Sequence, residues 1–214
     1  MTDLSHIHRF VPGNRHEATP LLLLHGTGGD ENDLLPLGQA IAPGASLLSP
    51  RGQILENGMP RFFRRLAEGV FDEDDLRRRA NALADFVNDA RKRYDLPAPV
   101  ALGYSNGANI AAAVLQLRPE IFAGAILLRA MVPLRDTPVI DLAGKPVLIV
   151  SGQFDPIIPT SNSQRLAVEL AKAGADVQHR TLPIGHQLSQ ADLTVAQDWL
   201  RGIDTASRGG AAAA

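Results

Sequence analysis

The chain has 214 residues, 45% hydrophobic and 21% charged, with a formal net charge of −2. That composition fits one folded domain and excludes a disordered polyelectrolyte. It also gives no electrostatic ground for binding nucleic acid or an anionic membrane. No cysteine is present, which rules out disulfides, thiolate metal sites and a cysteine nucleophile.

Residues 1–10 are polar and carry His6, His8 and Arg9, without the apolar centre of a secretory signal. An edge strand is expected at 6–11. The first strong strand candidate, 21–24, runs into the glycine-rich segment His25-Gly26-Thr27-Gly28-Gly29-Asp30, with a helix expected from about Asn32. A strand at 46–49 follows. Residues 50–71 form the longest irregular segment, and long loops in compact domains are commonly functional.

Next comes the clearest helix, 74–94. Leu76, Ala80, Leu83, Val87, Ala90 and Tyr94 recur at three- and four-residue steps as one buried stripe. Acidic residues 72–75 crowd its start and Arg91, Lys92 and Arg93 its end, matching the helix dipole. A strand at 100–104 leads into a helix at 105–117, which stops before Pro119. Strands are expected at 124–128, 147–151 and 177–182, with a helix from 160 to about 173 closed by Gly174. The last helix starts at Ser189, with Asp192 three residues on as a variant capping box, and is expected to end before Gly202. The longest apolar stretch, 121–128, is far short of the roughly 20 residues that span a bilayer, and a cytoplasmic protein is expected. Residues 1–204 read as a single domain and 205–214 as a flexible tail.

The strands are nearly continuously apolar, as strands covered on both faces should be. Their alternation with helices implies an α/β fold, a mainly parallel sheet with helices on both faces. Right-handed crossovers then gather the strand C-termini along one edge, where such folds build their sites.

Gly103-Tyr104-Ser105-Asn106-Gly107 fits G-x-S-x-G between a strand and a helix. The serine must sit in a sharp turn, and side chains two residues to either side would collide with neighbouring backbone. A hydroxyl becomes nucleophilic only when a base takes its proton. In this setting the chain order is Ser, then an acid, then His. Asp155 lies just past the 147–151 strand and His186 just past the 177–182 strand, so both share an edge with Ser105. His6, His8, His16 and His25 precede the serine, and His179 falls inside a strand. Asp176 starts a strand at the opposite edge. Asp141 is a possible substitute acid. The backbone N–H groups of Asn106 and Thr27 are the expected oxyanion donors.

Together these motifs resemble the phospholipase/carboxylesterase family of α/β-hydrolases over about residues 20–200. The match rests on His25-Gly26-x-Gly28-Gly29-Asp30, Ser49-Pro50-Arg51-Gly52, the segment 103–109, Gly152-x-x-Asp155-Pro156-Ile157 and Gly185-His186-x-Leu188. The resemblance implies cofactor-free ester hydrolysis, with no metal, by Ser105, Asp155 and His186. Residues 57–65 and 128–133 are similar to the bacterial branch linked to small esters and quinone-related detoxification. The acyl-protein thioesterase branch has Trp-Phe-Asp near the first stretch and Gln after the nucleophile. Here Phe62-Phe63-Arg64 and Asn106 stand instead, which tells against protein depalmitoylation.

No cap domain fits between the 128 and 147 strand ends, so an open site is expected. Met59, Phe62, Phe63, Leu66 and Phe71 of the 50–71 segment are expected to wall the pocket, with Met131 as a further substrate contact. Arg51, Arg61, Arg64 and Arg65 are read as pairing with residues 72–75 or facing solvent, against the alternative that one meets a substrate carboxylate. The expected partner is a small-molecule ester, not nucleic acid or membrane. Oligomeric state is open, a homodimer included. Two other readings stand beside this one: a thioesterase or lysophospholipase for longer chains, and a non-catalytic ligand-binding protein on a hydrolase scaffold.

Overall fold

A computed structural model describes residues 4–15, 17–136 and 140–211, with only the backbone described for 204–211. The chain runs β1 (His8–Val11), β2 (Leu21–Leu24), α1 (Leu35–Ile41) and β3 (Leu47–Pro50). Two short hairpins follow, β4 (Ile54–Glu56) with β5 (Met59–Arg61) and β6 (Arg65–Ala67) with β7 (Val70–Phe71). Then come α2 (Glu73–Tyr94), β8 (Val100–Tyr104), α3 (Asn106–Leu117), β9 (Gly124–Leu128), β10 (Pro146–Gly152), α4 (Thr160–Lys172), β11 (Asp176–Leu182) and α5 (Gln190–Ala211).

Seven strands form one sheet in the order β1-β3-β2-β8-β9-β10-β11. Only β1 is antiparallel, pairing with β3 at one edge. Because successive side chains point to opposite faces, each strand feeds two cores. Leu22, Leu24, Ala101, Leu127 and Ile149 pack on the side of α2, α3 and α4. Leu21, Leu23, Leu102, Ile126 and Val150 pack on the side of α1 and α5. This double burial is why the strands read as unbroken apolar runs rather than alternating ones.

Helix α2 is set by its ends as well as its stripe. Asp72 caps it, its carboxylate accepting from the Asp75 N–H at 3.0 Å, and Asp95 closes it in the left-handed region at φ 51°. The connections leave β2 in one direction, to β3, and reach β8 on its other side. The crevice beyond the C-termini of β2 and β8 is therefore the switch point at which open α/β sheets bind ligands.

Two expectations change. Residues 50–71 are not irregular, since the two hairpins occupy most of them. The first turns at Asn57 (φ 51°) and Gly58 (φ 80°), both left-handed, as a two-residue Asn-Gly hairpin turn requires. Nor does the last helix stop before Gly202. It continues to Ala211 through most of the expected 205–214 tail, and residues 212–214 lie outside the described residues. Glycine only weakens a helix, by about 1 kcal/mol relative to alanine, and Gly202 has no left-handed φ that would end it. No helix among the described residues is long and apolar enough to cross a membrane.

His6 is buried against Phe86. Burial lowers its pKa from 6.5 to about 4, and the positive charge of Arg79 and neighbouring His8 push the same way. As pH falls from 6.5 toward 4 the unfolded chain takes up this proton and the folded chain does not. Stability is therefore complete above pH 6.5 and declines across that window. Urea midpoints measured at pH 7 and 4.5 are expected to fall for the parent and to fall less for His6→Gln.

Candidate active site

Ser105 sits between β8 and α3 at φ 52°, ψ −112°, a region that non-glycine residues rarely occupy. Its N–H donates to the Leu128 carbonyl at 2.9 Å and its carbonyl accepts from Asn109 N–H at 3.0 Å, so both sides of the turn are held. Close packing explains the flanking glycines. A Cβ on Gly107 would lie 2.0 Å from the Leu24 carbonyl oxygen, and one on Gly103 2.5 Å from the Gly107 carbonyl oxygen.

The three residues picked by chain order meet. His186 Nε2 is 3.0 Å from Ser105 Oγ, and His186 Nδ1 is 2.8 Å from Asp155 Oδ2. The other Asp155 oxygen, Oδ1, accepts from the N–H groups of Ile157 at 2.8 Å and Ile158 at 3.0 Å. The carboxylate is thus turned by its own loop so that one oxygen remains for the imidazole. Its side chain is 1% exposed and that of His186 15%, which leaves the reacting face of the ring open while its partner is dry. Tyr104 flanks the ring at 5.5 Å and donates its hydroxyl hydrogen to the His186 carbonyl at 3.2 Å.

The competing residues serve elsewhere. His25 is buried between the Gly26 carbonyl, 2.7 Å from Nδ1, and the Gly52 N–H, 2.9 Å from Nε2. Burial lowers its pKa, in keeping with a neutral ring that ties two loops. His179 contacts Ser151 Oγ at 2.8 Å. Asp141 accepts from Ala143 N–H at 2.8 Å in the turn before β10, at the far edge of the sheet. His16 lies outside the described residues.

The N–H groups of Thr27 and Asn106 are free of hydrogen bonds among the described residues. Thr27 is exposed in the loop after β2, and Asn106 opens α3, where the helix dipole favours negative charge. The Thr27 loop is anchored next door by Gly28 N–H donating to the Pro60 carbonyl at 3.0 Å.

A cavity of about 310 Å³ opens beside Ser105 and His186, lined also by Thr27, Asn106, Phe71, Met131, Ile157 and Ile158. Of the expected apolar wall, Phe71 and Met131 are in place. Phe62 and Phe63 are not: they are 2% and 0% exposed, within the core beneath. The cause is a side-chain anchor that residue type alone does not reveal. Asn106 Oδ1 accepts the Phe62 N–H at 2.8 Å and pulls the segment down onto α3. Met59 lies outside the cavity, beside Gly28, and Leu66 is 72% exposed. The arginines also divide. Arg64 pairs with Asp72 as expected, and Arg51 with Glu31. Arg61 and Arg65 instead share Glu56 and line the cavity.

Sequence reading passed over Arg129. It is fully buried, at φ 57°, and all five of its N–H donors are used. Nε donates to the Gly185 carbonyl at 3.0 Å and Nη2 to the Gln187 carbonyl at 3.1 Å, the two residues flanking His186. The remaining donors reach the Val150 carbonyl and both carboxylate oxygens of Asp192. Asp192 Oδ2 also accepts from Ser189 N–H and Oγ, completing the expected cap of α5. An arginine directly after a strand, with an acid in a later helix cap, was the available signal.

A mainly parallel sheet with a Ser–His–Asp chain at its switch point defines the class of protein, an α/β-hydrolase. No family model matches the chain. It is 48% identical over 183 residues, 85% of this chain and 92% of the relative, to a Bacillus subtilis (strain 168) protein named "Putative hydrolase MhqD". A Bacillus cereus carboxylesterase superposes with a TM-score of 0.90 at 46% identity, over 92% of this chain and 94% of that one. A Mesorhizobium loti carboxylesterase gives 0.89 at 36% identity, over 94% and 97%. The chain belongs to the phospholipase/carboxylesterase family of α/β-hydrolases and is a carboxylesterase-type hydrolase.

Two stability measurements follow from this packing. Phe63→Ala is expected to cost about 3–5 kcal/mol by urea unfolding, as core truncations of that size do, without altering acyl-chain preference. Arg129→Met strands the Asp192 carboxylate in a dry site and is expected to cost about 3–5 kcal/mol, and Asp192→Asn, which leaves the buried Arg129 charge without its counter-ion, a similar amount in the same assay.

Proposed function

We propose that the chain hydrolyses small carboxylic esters through an acyl-enzyme on Ser105. The observation that carries this reading is the unbroken relay from Asp155 Oδ2 to His186 at 2.8 Å and from His186 to Ser105 Oγ at 3.0 Å. Nδ1–H donates to the carboxylate, which leaves Nε2 unprotonated and facing the hydroxyl. His186 takes the serine proton as Oγ attacks the ester carbonyl. Asp155 holds the ring in that tautomer and stabilises the imidazolium. The oxyanion settles between the N–H groups of Thr27 and Asn106, each such donor worth about 10²–10³ in turnover. His186 then protonates the departing alcohol. A water, deprotonated by the same ring, attacks the acyl carbonyl; as the bond to Oγ breaks and the acid leaves, His186 gives that proton to Ser105 Oγ.

A preference for short acyl groups is supported by the size of the cavity, about 310 Å³, at the lower end for small-molecule sites. The burial of Phe62 and Phe63 removes two side chains that could have lined a longer apolar channel. Every group in the relay comes from one chain, so the reading needs no second subunit. The substrate is taken as a small molecule and the setting as the cytoplasm.

With 4-nitrophenyl acetate or butyrate the parent should show a nitrophenol burst stoichiometric with enzyme. Ser105→Ala should lose the burst and at least about 10⁴-fold in kcat with an unchanged circular dichroism spectrum. Undiminished turnover in that variant rejects the nucleophile. A much faster rate on palmitoyl than on butyryl esters rejects the short-chain preference.

A further inference from the structure

Hydrolysis of a plain ester leaves one wall of the cavity unexplained. Arg61 ends β5 and is 3% exposed. Its Nη1 donates to Thr27 Oγ1 at 2.9 Å and its Nε to the Phe63 carbonyl at 3.3 Å, with Glu56 Oε2 3.0 Å away. Its Nη2 bonds no protein atom among the described residues and is not sealed from solvent. Arg65 opens β6 and gives only Nε to Glu56 Oε1, at 2.8 Å, leaving both terminal amino groups without a protein acceptor. Both arginines line the cavity that holds Ser105 and His186.

An arginine present only to fasten a hairpin would present a paired edge of its fork to the carboxylate. Here one carboxylate is divided between two arginines, engaged through Nε, and of the four terminal amino groups only Arg61 Nη1 has a protein acceptor among the described residues, Thr27 Oγ1. One positive charge of the three-residue cluster is uncompensated. Burial lowers the Arg61 pKa even with Glu56 beside it, so Glu56 does not replace the lost hydration. The other acid of the lining, Glu68, is exposed on the β6–β7 turn, where water screens its field. The buried cation therefore dominates close to Thr27, whose N–H is a candidate oxyanion donor.

We propose that Arg61 and Arg65 form a carboxylate subsite, and that the preferred substrates are short esters carrying a free carboxylate, such as half-esters of small dicarboxylic acids. This rests on the ester-hydrolase reading above and specifies its substrate class. Planar, delocalised guanidinium forks suit a carboxylate held by two parallel hydrogen bonds. Seated there, the substrate anion completes the cluster's charge balance and fixes its reactive carbonyl beside Thr27.

The test uses two matched pairs, followed by base titration at constant pH. Monomethyl succinate against methyl butyrate places the charge on the acyl side. O-acetylglycolate against ethyl acetate places it on the alcohol side. At least one charged ester should exceed its neutral partner about tenfold in kcat/KM, the scale of a charge-assisted hydrogen bond. Arg65→Gln should lower that ratio about tenfold, and Arg65→Lys should restore part of it. Arg61 is left intact because it also anchors Thr27. Charged-to-neutral ratios at or below one in both pairs overturn the subsite, as does a ratio that Arg65→Gln leaves unmoved. Parent enzyme that turns over none of the four esters overturns the proposed function, and the subsite with it.

Discussion

The ends of four adjacent strands are knotted together at two residues, Leu128 and Arg129. The Leu128 carbonyl receives the Ser105 N–H from the end of β8. The Arg129 N–H donates to Val150 in β10, and its side chain reaches the loop after β11 on both sides of His186. The relay requires atoms from three loops, separated by 50 and 31 positions in sequence, to hold within hydrogen-bonding distance. Loops are ordinarily the more mobile parts of a domain. Here the carbonyls on both sides of His186 and that of Val150 in β10 are fixed to one planar cation directly after β9, and the Ser105 turn is fixed to the Leu128 carbonyl beside it. Burying a guanidinium carries a large desolvation cost, offset only when every donor is satisfied and a counter-charge is present. Arg129 meets both conditions, with five bonds and Asp192.

Backbone strain is concentrated at the same place. Ser105 and Arg129 both have left-handed φ values without being glycine, and such residues typically cost about 1–3 kcal/mol each. Each is over-determined by its surroundings. Ser105 is held by Leu128 and Asn109, with Gly103 and Gly107 admitting backbone at distances no side chain permits. Strain of this kind aims side chains. It lifts Oγ out of the sheet toward the imidazole and turns the Arg129 fork inward across the strand ends.

Much of this was legible from residue types, because the signals were periodic or local. Unbroken apolar runs gave the two-faced sheet, and chain order with strand-end placement selected Asp155 and His186 over Asp141 and the other histidines. What escaped depended on single long-range polar bonds. Nothing in Phe62-Phe63 distinguishes a pocket wall from core; the difference is made by Asn106 Oδ1, 44 positions away. The Asn57-Gly58 turn was a readable signal for the first hairpin, yet its strands are three residues each, too short for alternation to stand out. Arg129 is invisible to hydrophobic patterning, which takes a charged residue to be exposed. Gly202 suggests a stop in the sequence because the residue type is visible there but its φ is not.

The first hairpin, β4–β5, and the turn that carries Ser105 form one mechanical unit, and this bears on how selectivity arises. Asn106 lines the cavity, its N–H unbonded among the described residues, and gives its side-chain oxygen to Phe62. Thr27 lines the same cavity, its N–H likewise unbonded among the described residues, and its hydroxyl oxygen accepts from Arg61. Both candidate oxyanion donors are therefore braced by the segment 60–62, which also delivers the cavity's buried cation. A substrate group that drew on Arg61 would act on the residue that braces Thr27, so binding far from the scissile bond would be transmitted to a candidate oxyanion donor. In such an arrangement part of the binding energy of a distant substituent is expressed only when the carbonyl becomes tetrahedral, raising turnover rather than affinity alone. Loss of the hairpin's charge would then appear in kcat as well as KM, although neither arginine touches the bond that breaks.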